Sequence, residues 1–227
     1  MSLKRGSEGF LTGRPTGLSV NKYLSPPPFY TFDPIQKDPL KLIPVICASM
    51  NGNHEDFQNL VGLIPSLPQM TEGEKPPLDS ATILLLSLMD WQDGGGAPRP
   101  LDSGQSRERL GRFPTEDGNA IEYLLAFTKE GEGNSNLHNL LAKLARGLSE
   151  DSLGESVFSQ GAGGIELLGW IDEAEVIQLK KEVERGSWKV SSDEPHDGGV
   201  QDAFRHLLVF LRAAGRRHCG LLMRRHS

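Results

Sequence analysis

Residues 165–190, IELLGWIDEAEVIQLKKEVERGSWKV, change their hydrophobic period twice. Ile165 to Trp170 is apolar and aromatic enough for a strand. Asp172 stands where a helix cap belongs, and Glu173 and Glu175 suit the positive end of the helix that follows. Val176, Leu179 and Val183 recur at helical spacing, which predicts a helix through Arg185 with one buried stripe. Trp188-Lys189-Val190 predicts a second short strand.

The same alternation continues towards the C-terminus. Ser191 to Gly199 is a polar turn. Phe204, Leu207, Leu208, Leu211 and Ala214 then mark one face of a long helix from Val200 to about Arg216, and Cys219 to Met223 predicts a closing strand. Upstream, Leu137, Leu140, Leu141, Leu144 and Leu148 form an apolar stripe on a helix that starts near Asn134 or Ser135. Ile121, Leu124, Leu125 and Thr128 share the face of another. Asp79 or Ser80 caps a helix through Trp91 that is apolar nearly all round, as a buried central helix is. Asn53 is placed to cap a helix through about Leu63, with Pro65 and Pro68 beyond it. Leu42 to Ala48 reads as a short strand, which Pro44 confines to an edge or a strand start.

Residues 1–40 have no helical period and carry five prolines, Pro15, Pro26, Pro27, Pro28 and Pro34, before Pro39. Pro26 to Pro28 predict extended polyproline II, and Phe29, Tyr30 and Phe32 after it predict that the end of this arm packs on the body. The chain is therefore read as an irregular Pro/Gly-rich arm, 1–40, on a single, mainly helical α+β domain, 41–227, with a few short strands. Flexible loops are expected from Asp93 to about Phe113 and from Ser149 to Gly164.

Composition narrows the function. Hydrophobic residues make up 37% and charged residues 24% of 227, enough for a core. Cys47 and Cys219 form no CxxC pair, which points to free, buried thiols and a cytoplasmic, reducing setting. The apolar run Ile83 to Met89 is far short of the roughly 20 residues of a membrane span, so no membrane association is expected. Net charge is −6, yet from Gln201 onward six arginines face one acid, Asp202. That end carries +5 and the preceding 200 residues −11. An acidic body with a basic end disfavours nucleic acid and favours an acidic protein partner, or the chain's own acidic body, as the arginines' counterpart. Phosphate-loop, nucleophile-elbow and HExxH patterns are absent. Gly161-Ala162-Gly163-Gly164 precedes a strand instead of following one, so it is no dinucleotide fingerprint. No cofactor or metal is expected.

Among the polar groups, the densest cluster is the turn Asp193, Glu194, His196 and Asp197, which could hold a cation or pair an acid with a base, or simply cap the next helix. Asp202 and His206, four residues apart, meet on one face of that helix and could hold a metal, orient the imidazole as a base, or form a weak solvated pair. The order strand, helix with an acidic first turn, polar loop, long helix, final strand is carried by Leu168 to Asp172, by Glu175-Val176, and by Ala203 to Ala214 followed by Gly220 to Leu222. In this the segment Gly169 to Met223 resembles the C-terminal part of small bacterial immunity-type domains. That resemblance implies a binding role and transfers no site residue. The reading that results is a non-enzymatic cytosolic protein-binding domain, in its specific form a bacterial, toxin-neutralising immunity-type protein. The alternative is a metal-dependent or acid/base enzyme using the Asp193–Asp197 turn.

Overall fold

The structure, a computed structural model, describes residues 28–62, 64, 67–93, 95–102, 118–131 and 136–226. It is an α+β domain of eight α-helices and five short strands among those residues. Three strands form an antiparallel sheet in the order β1 (Phe29–Ile35), β5 (Gly220–His226), β3 (Glu166–Ile171). Both faces of this sheet are covered. On β5, Leu221 and Met223 enter one apolar core and Leu222 between them enters another, as the two-residue period of a strand requires.

The core on the Leu222 side is built by α1 (Pro39–Met50), α2 (Glu55–Val61) and α3 (Ser80–Leu88). The core on the Leu221 side is built by α4 (Ala120–Phe127), α5 (Leu137–Arg146), α7 (Glu173–Arg185) and α8 (Gly199–Arg217). A two-stranded ribbon pairs β2 (Thr128–Glu130) with β4 (Trp188–Val190), and a single turn, α6 (Glu150–Leu153), follows α5.

The region read from its change of period folds as expected. Asp172 accepts the Glu175 N–H at 2.8 Å while Glu175 accepts the Asp172 N–H at 2.9 Å, a reciprocal capping box that starts α7. Leu137, Leu140, Leu141 and Leu144 are buried along α5, and Asp79 caps α3.

Three readings are corrected. Leu42 to Ala48 lies inside helix α1, not in a strand. Asp38 caps that helix, Pro39 occupies its first turn, where no N–H is needed, and Leu42, Ile46 and Ser49 bury one helical face despite Pro44. The ordered body also begins before residue 41. Phe29 to Ile35 is strand β1, with Tyr30 and Phe32 buried against the sheet's helical cover. β5 runs on past Met223, because Arg225 faces Glu166 on β3 and Arg224 pairs with Asp33 on β1. The polyproline reading of Pro26 and Pro27, the helix start at Asn134 or Ser135 and most of the loop to Phe113 lie outside the described residues.

The Gly-rich stretch before β3 has a packing role. A Cβ on Gly161 would stand 2.8 Å from the Asp79 carboxylate, which also accepts the Ala162 N–H at 3.0 Å and the Thr82 N–H and hydroxyl at 2.8 Å each. Burial opposes the charged form of Asp79, but the donors from Ala162 and Thr82 outweigh it and hold the carboxyl below its ordinary range. This stabilisation is full above the range where an unfolded aspartate titrates and is lost as pH falls through the lowered folded value. Asp79→Ala is accordingly expected to cost about 1–2 kcal/mol in urea unfolding at neutral pH. The gap from wild type should narrow at pH below about 4. An unchanged gap in acid would mean that the carboxylate charge is not what ties the α3 terminus to Ala162.

Candidate functional site

The acidic turn joins β4 to α8, and its geometry follows from what a helix start demands. The first N–H groups of α8 have no partner within the helix. Gly198, with φ 79°, brings the chain around, and Glu194 Oε1 accepts the Val200 N–H at 2.6 Å. The same oxygen accepts the Tyr123 hydroxyl at 2.9 Å from α4. Tyr123 is fully buried, and burial together with the Glu194 carboxylate pushes its phenol up to about 12. Gly199 is tightly enclosed by this group, since a Cβ there would meet the Tyr123 hydroxyl at 2.5 Å and the Glu194 carboxylate at 3.0 Å.

The other members of the predicted cluster are less engaged. Asp193 is exposed and takes the Ser192 hydroxyl at 3.2 Å. His196 is exposed, with its ring 6.5 Å from that of Tyr123, and Asp197 is exposed beside it. Asp202 pairs with Arg205 at 3.1 Å, one position short of His206, which is half-buried on α8. Glu194 and His196 therefore meet around Tyr123, while Asp202 and His206 belong to a separate stretch of the helix. Among the described residues, no group of three or more His, Cys, Asp or Glu side chains is placed to hold a metal ion.

Tyr123 is the functional neighbour that sequence reasoning missed. It lies 71 residues before Glu194, and nothing in the local spacing of α4 announces a partner so far along the chain. A second polar group, unnoticed in the sequence, links Ser49 Oγ to His54 Nδ1 at 2.6 Å, with His54 Nε2 donating to the carbonyls of Thr71 and Glu74 at 3.1 and 2.9 Å. Ser49 and His54 are both fully buried, and this serine–histidine contact closes the α1–α2 turn. Cys219 is buried as well, and burial pushes its thiol up to about 11 against the opposing pull of Arg217. Cys47 is half-buried, and no disulfide joins the two.

Each of the six C-terminal arginines pairs with a carboxylate, five of them in the acidic body and Arg205 within the basic end itself. Arg205 pairs with Asp202, Arg212 with Glu184, Arg216 with Asp102, Arg217 with Asp90, Arg224 with Asp33 and Arg225 with Glu166. Much of the charge asymmetry of the sequence is thus spent inside the fold.

Several surface hollows remain among the described residues, including one of about 610 Å³ against α2 and one of about 400 Å³ beside His218, and two more involve α5, β3, α7 and α8. The larger of these last two, about 680 Å³, opens beside β3 between the ion pairs Glu122–Arg146 and Glu166–Arg225. The smaller, about 380 Å³, is a groove between α7 and α8. Its floor is Val176, Leu211 and the exposed Ile177, and its rim is Lys180, Arg212 and Arg216. No helix among the described residues is long and apolar enough to cross a membrane. No protein-family model, curated protein or solved structure matches this chain.

Proposed function

We propose that the protein is a cytosolic, non-enzymatic domain that binds another protein. The observation that carries this reading is the α7–α8 groove, where Ile177 stands 41% exposed in an aliphatic floor. A solvent-facing aliphatic side chain set in a concave, charge-rimmed surface is what a protein anchor residue fits. The use of Glu194 as a cap and as the partner of Tyr123 supports the same reading, because it takes the central carboxylate of the acidic turn out of service as an acid or base.

The test is photo-crosslinking in the native host, with a photoreactive residue at position 177 and a control at the exposed Lys189. The expected result is one discrete adduct at 177, identified by mass spectrometry and missing at 189. Equal, diffuse labelling at both positions would count against a dedicated partner. The immunity-type form of the reading further requires that the adduct be a toxin whose activity falls when the purified protein is added.

A further inference from the structure

We infer that the α7–α8 groove takes an acidic protein segment, which seats one aliphatic side chain against Ile177 and sets its carboxylates on Lys180, Arg212 and Arg216. This rests on the protein-binding reading above and specifies the chemistry of the partner. Seven residues line the groove; three are cations and none is an acid, on a molecule whose net charge is −6. The rim cations keep binding capacity. Lys180 has no ion-pair partner among the described residues. Arg216 stands 3.8 Å from Asp102, an ionic contact without a hydrogen bond. Arg212 gives Nε and Nη2 to Glu184 and has a further nitrogen to offer.

Gly215 supplies an independent reason. It lies within α8, where glycine is costly relative to alanine because it frees the unfolded backbone. Most other glycines of this protein are explained either by what crowds them, as at Gly169 and Gly199, or by a positive φ, as at Gly186 and Gly198. At Gly215 an added Cβ would meet nothing within 4 Å, so packing places no demand for glycine there. Its effect is to leave the groove open between Leu211 and Arg216.

Other occupants fit less well. A nucleic-acid strand would match the cations but not the aliphatic floor, and no aromatic side chain lines the groove for bases to stack on. The chain's own first 27 residues carry Lys4, Arg5, Arg14 and Lys22 against Glu8, the same sign as the rim. An acidic segment with a Leu or Ile anchor satisfies floor and rim together.

The experiment selects a displayed library of random dodecapeptides on the immobilised full chain, then measures the best synthetic peptide by fluorescence anisotropy. Enriched peptides are expected to carry Asp or Glu around Leu or Ile, and to lose affinity as ionic strength rises. Gly215→Leu, which fills the groove, and Lys180→Glu, which inverts its rim, should each weaken binding roughly tenfold or more. Their melting temperatures should stay at or above that of wild type, with Gly215→Ala as the folding control. Peptides without acidic enrichment, or acidic peptides whose affinity ignores both variants, overturn the groove assignment while leaving the protein-binding reading in place. A single-stranded oligonucleotide or an anionic vesicle that binds with Gly215→Leu sensitivity, where no acidic peptide does, overturns it too. If no peptide is enriched and position 177 gives no adduct in the host, both readings fall.

Discussion

Gly169→Ala is expected to lower stability by more than about 4 kcal/mol, a large share of the roughly 5–15 kcal/mol that keeps a domain folded. The added Cβ would lie 2.1 Å from the Lys143 carbonyl oxygen, 2.7 Å from the Gly147 nitrogen and 2.7 Å from the Leu144 carbonyl oxygen. All three are backbone atoms of the last turn of α5 and its C-cap, so no rotamer change relieves the clash. The close approach is also bonded, for the Leu148 N–H donates to the Leu168 carbonyl at 2.9 Å where β3 shifts register between Leu167 and Gly169.

Displacing α5 would break what it organises. Lys143 lies 4.7 Å above the Trp170 ring and is held by both oxygens of Glu175, at 2.6 and 2.7 Å, the residue that closes the capping box of α7. Ile171 and Leu167 flank the contact and enter opposite cores, so the strain reaches both faces of the sheet. Urea unfolding followed by circular dichroism tests this, with Gly215→Ala as the matched substitution in open space. The Gly215 variant should be neutral or gain up to about 1 kcal/mol. A Gly169→Ala protein with a midpoint near that of wild type would show that α5 can withdraw from β3 without loss.

The contrast between these two glycines marks how far the sequence could be read. α7 and its cap were legible because Asp172, Glu175 and the Val176, Leu179, Val183 stripe are local signals, each within four residues of the next. The stripe of α5 was legible for the same reason. Helix α1 was not, since the β-branched residues Ile43, Val45 and Ile46 and the mid-helix Pro44 all speak for a strand, while its decisive features are Asp38 at the cap and a core supplied by α3. β1 was hidden because its partner β5 lies almost two hundred residues away, and the same distance hid Asp33 as the counterpart of Arg224.

The site divides along the same line. Six polar residues near one turn could be named from the sequence, but which of them is engaged depends on Tyr123, contributed by a distant helix. Arg205, Arg212 and Arg216 were visible only as members of a basic end along one helix. The fold sends Arg205 to Asp202 and puts Lys180 of α7 beside the other two. Crossing of helices, which no single-helix periodicity reports, made that grouping.

Glu194→Ala is expected to cost about 2–4 kcal/mol, the largest effect of any substitution in the acidic turn. The variant removes a charged acceptor from the α8 N-terminus and takes from the fully buried Tyr123 hydroxyl the carboxylate that accepts its hydrogen bond. Glu194→Gln keeps an acceptor oxygen and should cost about half as much, the difference being the charge that favours a helix start. Tyr123→Phe removes the hydroxyl that Glu194 accepts, so the double variant with Glu194→Ala should be less unstable than the two single losses combined, by about 1 kcal/mol in a double-mutant cycle. Alkaline titration gives a second readout with a defined sign. A phenol raised from its ordinary value near 10 to about 12 contributes stability that is full below pH 10 and lost as pH rises through about 12. Wild type should therefore lose stability across that window faster than Tyr123→Phe, with the Cys219 thiol contributing equally to both. Asp193→Ala, Asp197→Ala and His196→Ala, all at exposed positions, should each change stability by less than about 0.5 kcal/mol. If Glu194→Ala were as stable as wild type, its carboxylate would not be committed to the fold. The acidic turn would then regain an acid or base free for chemistry, and the enzymatic alternative would regain its central residue.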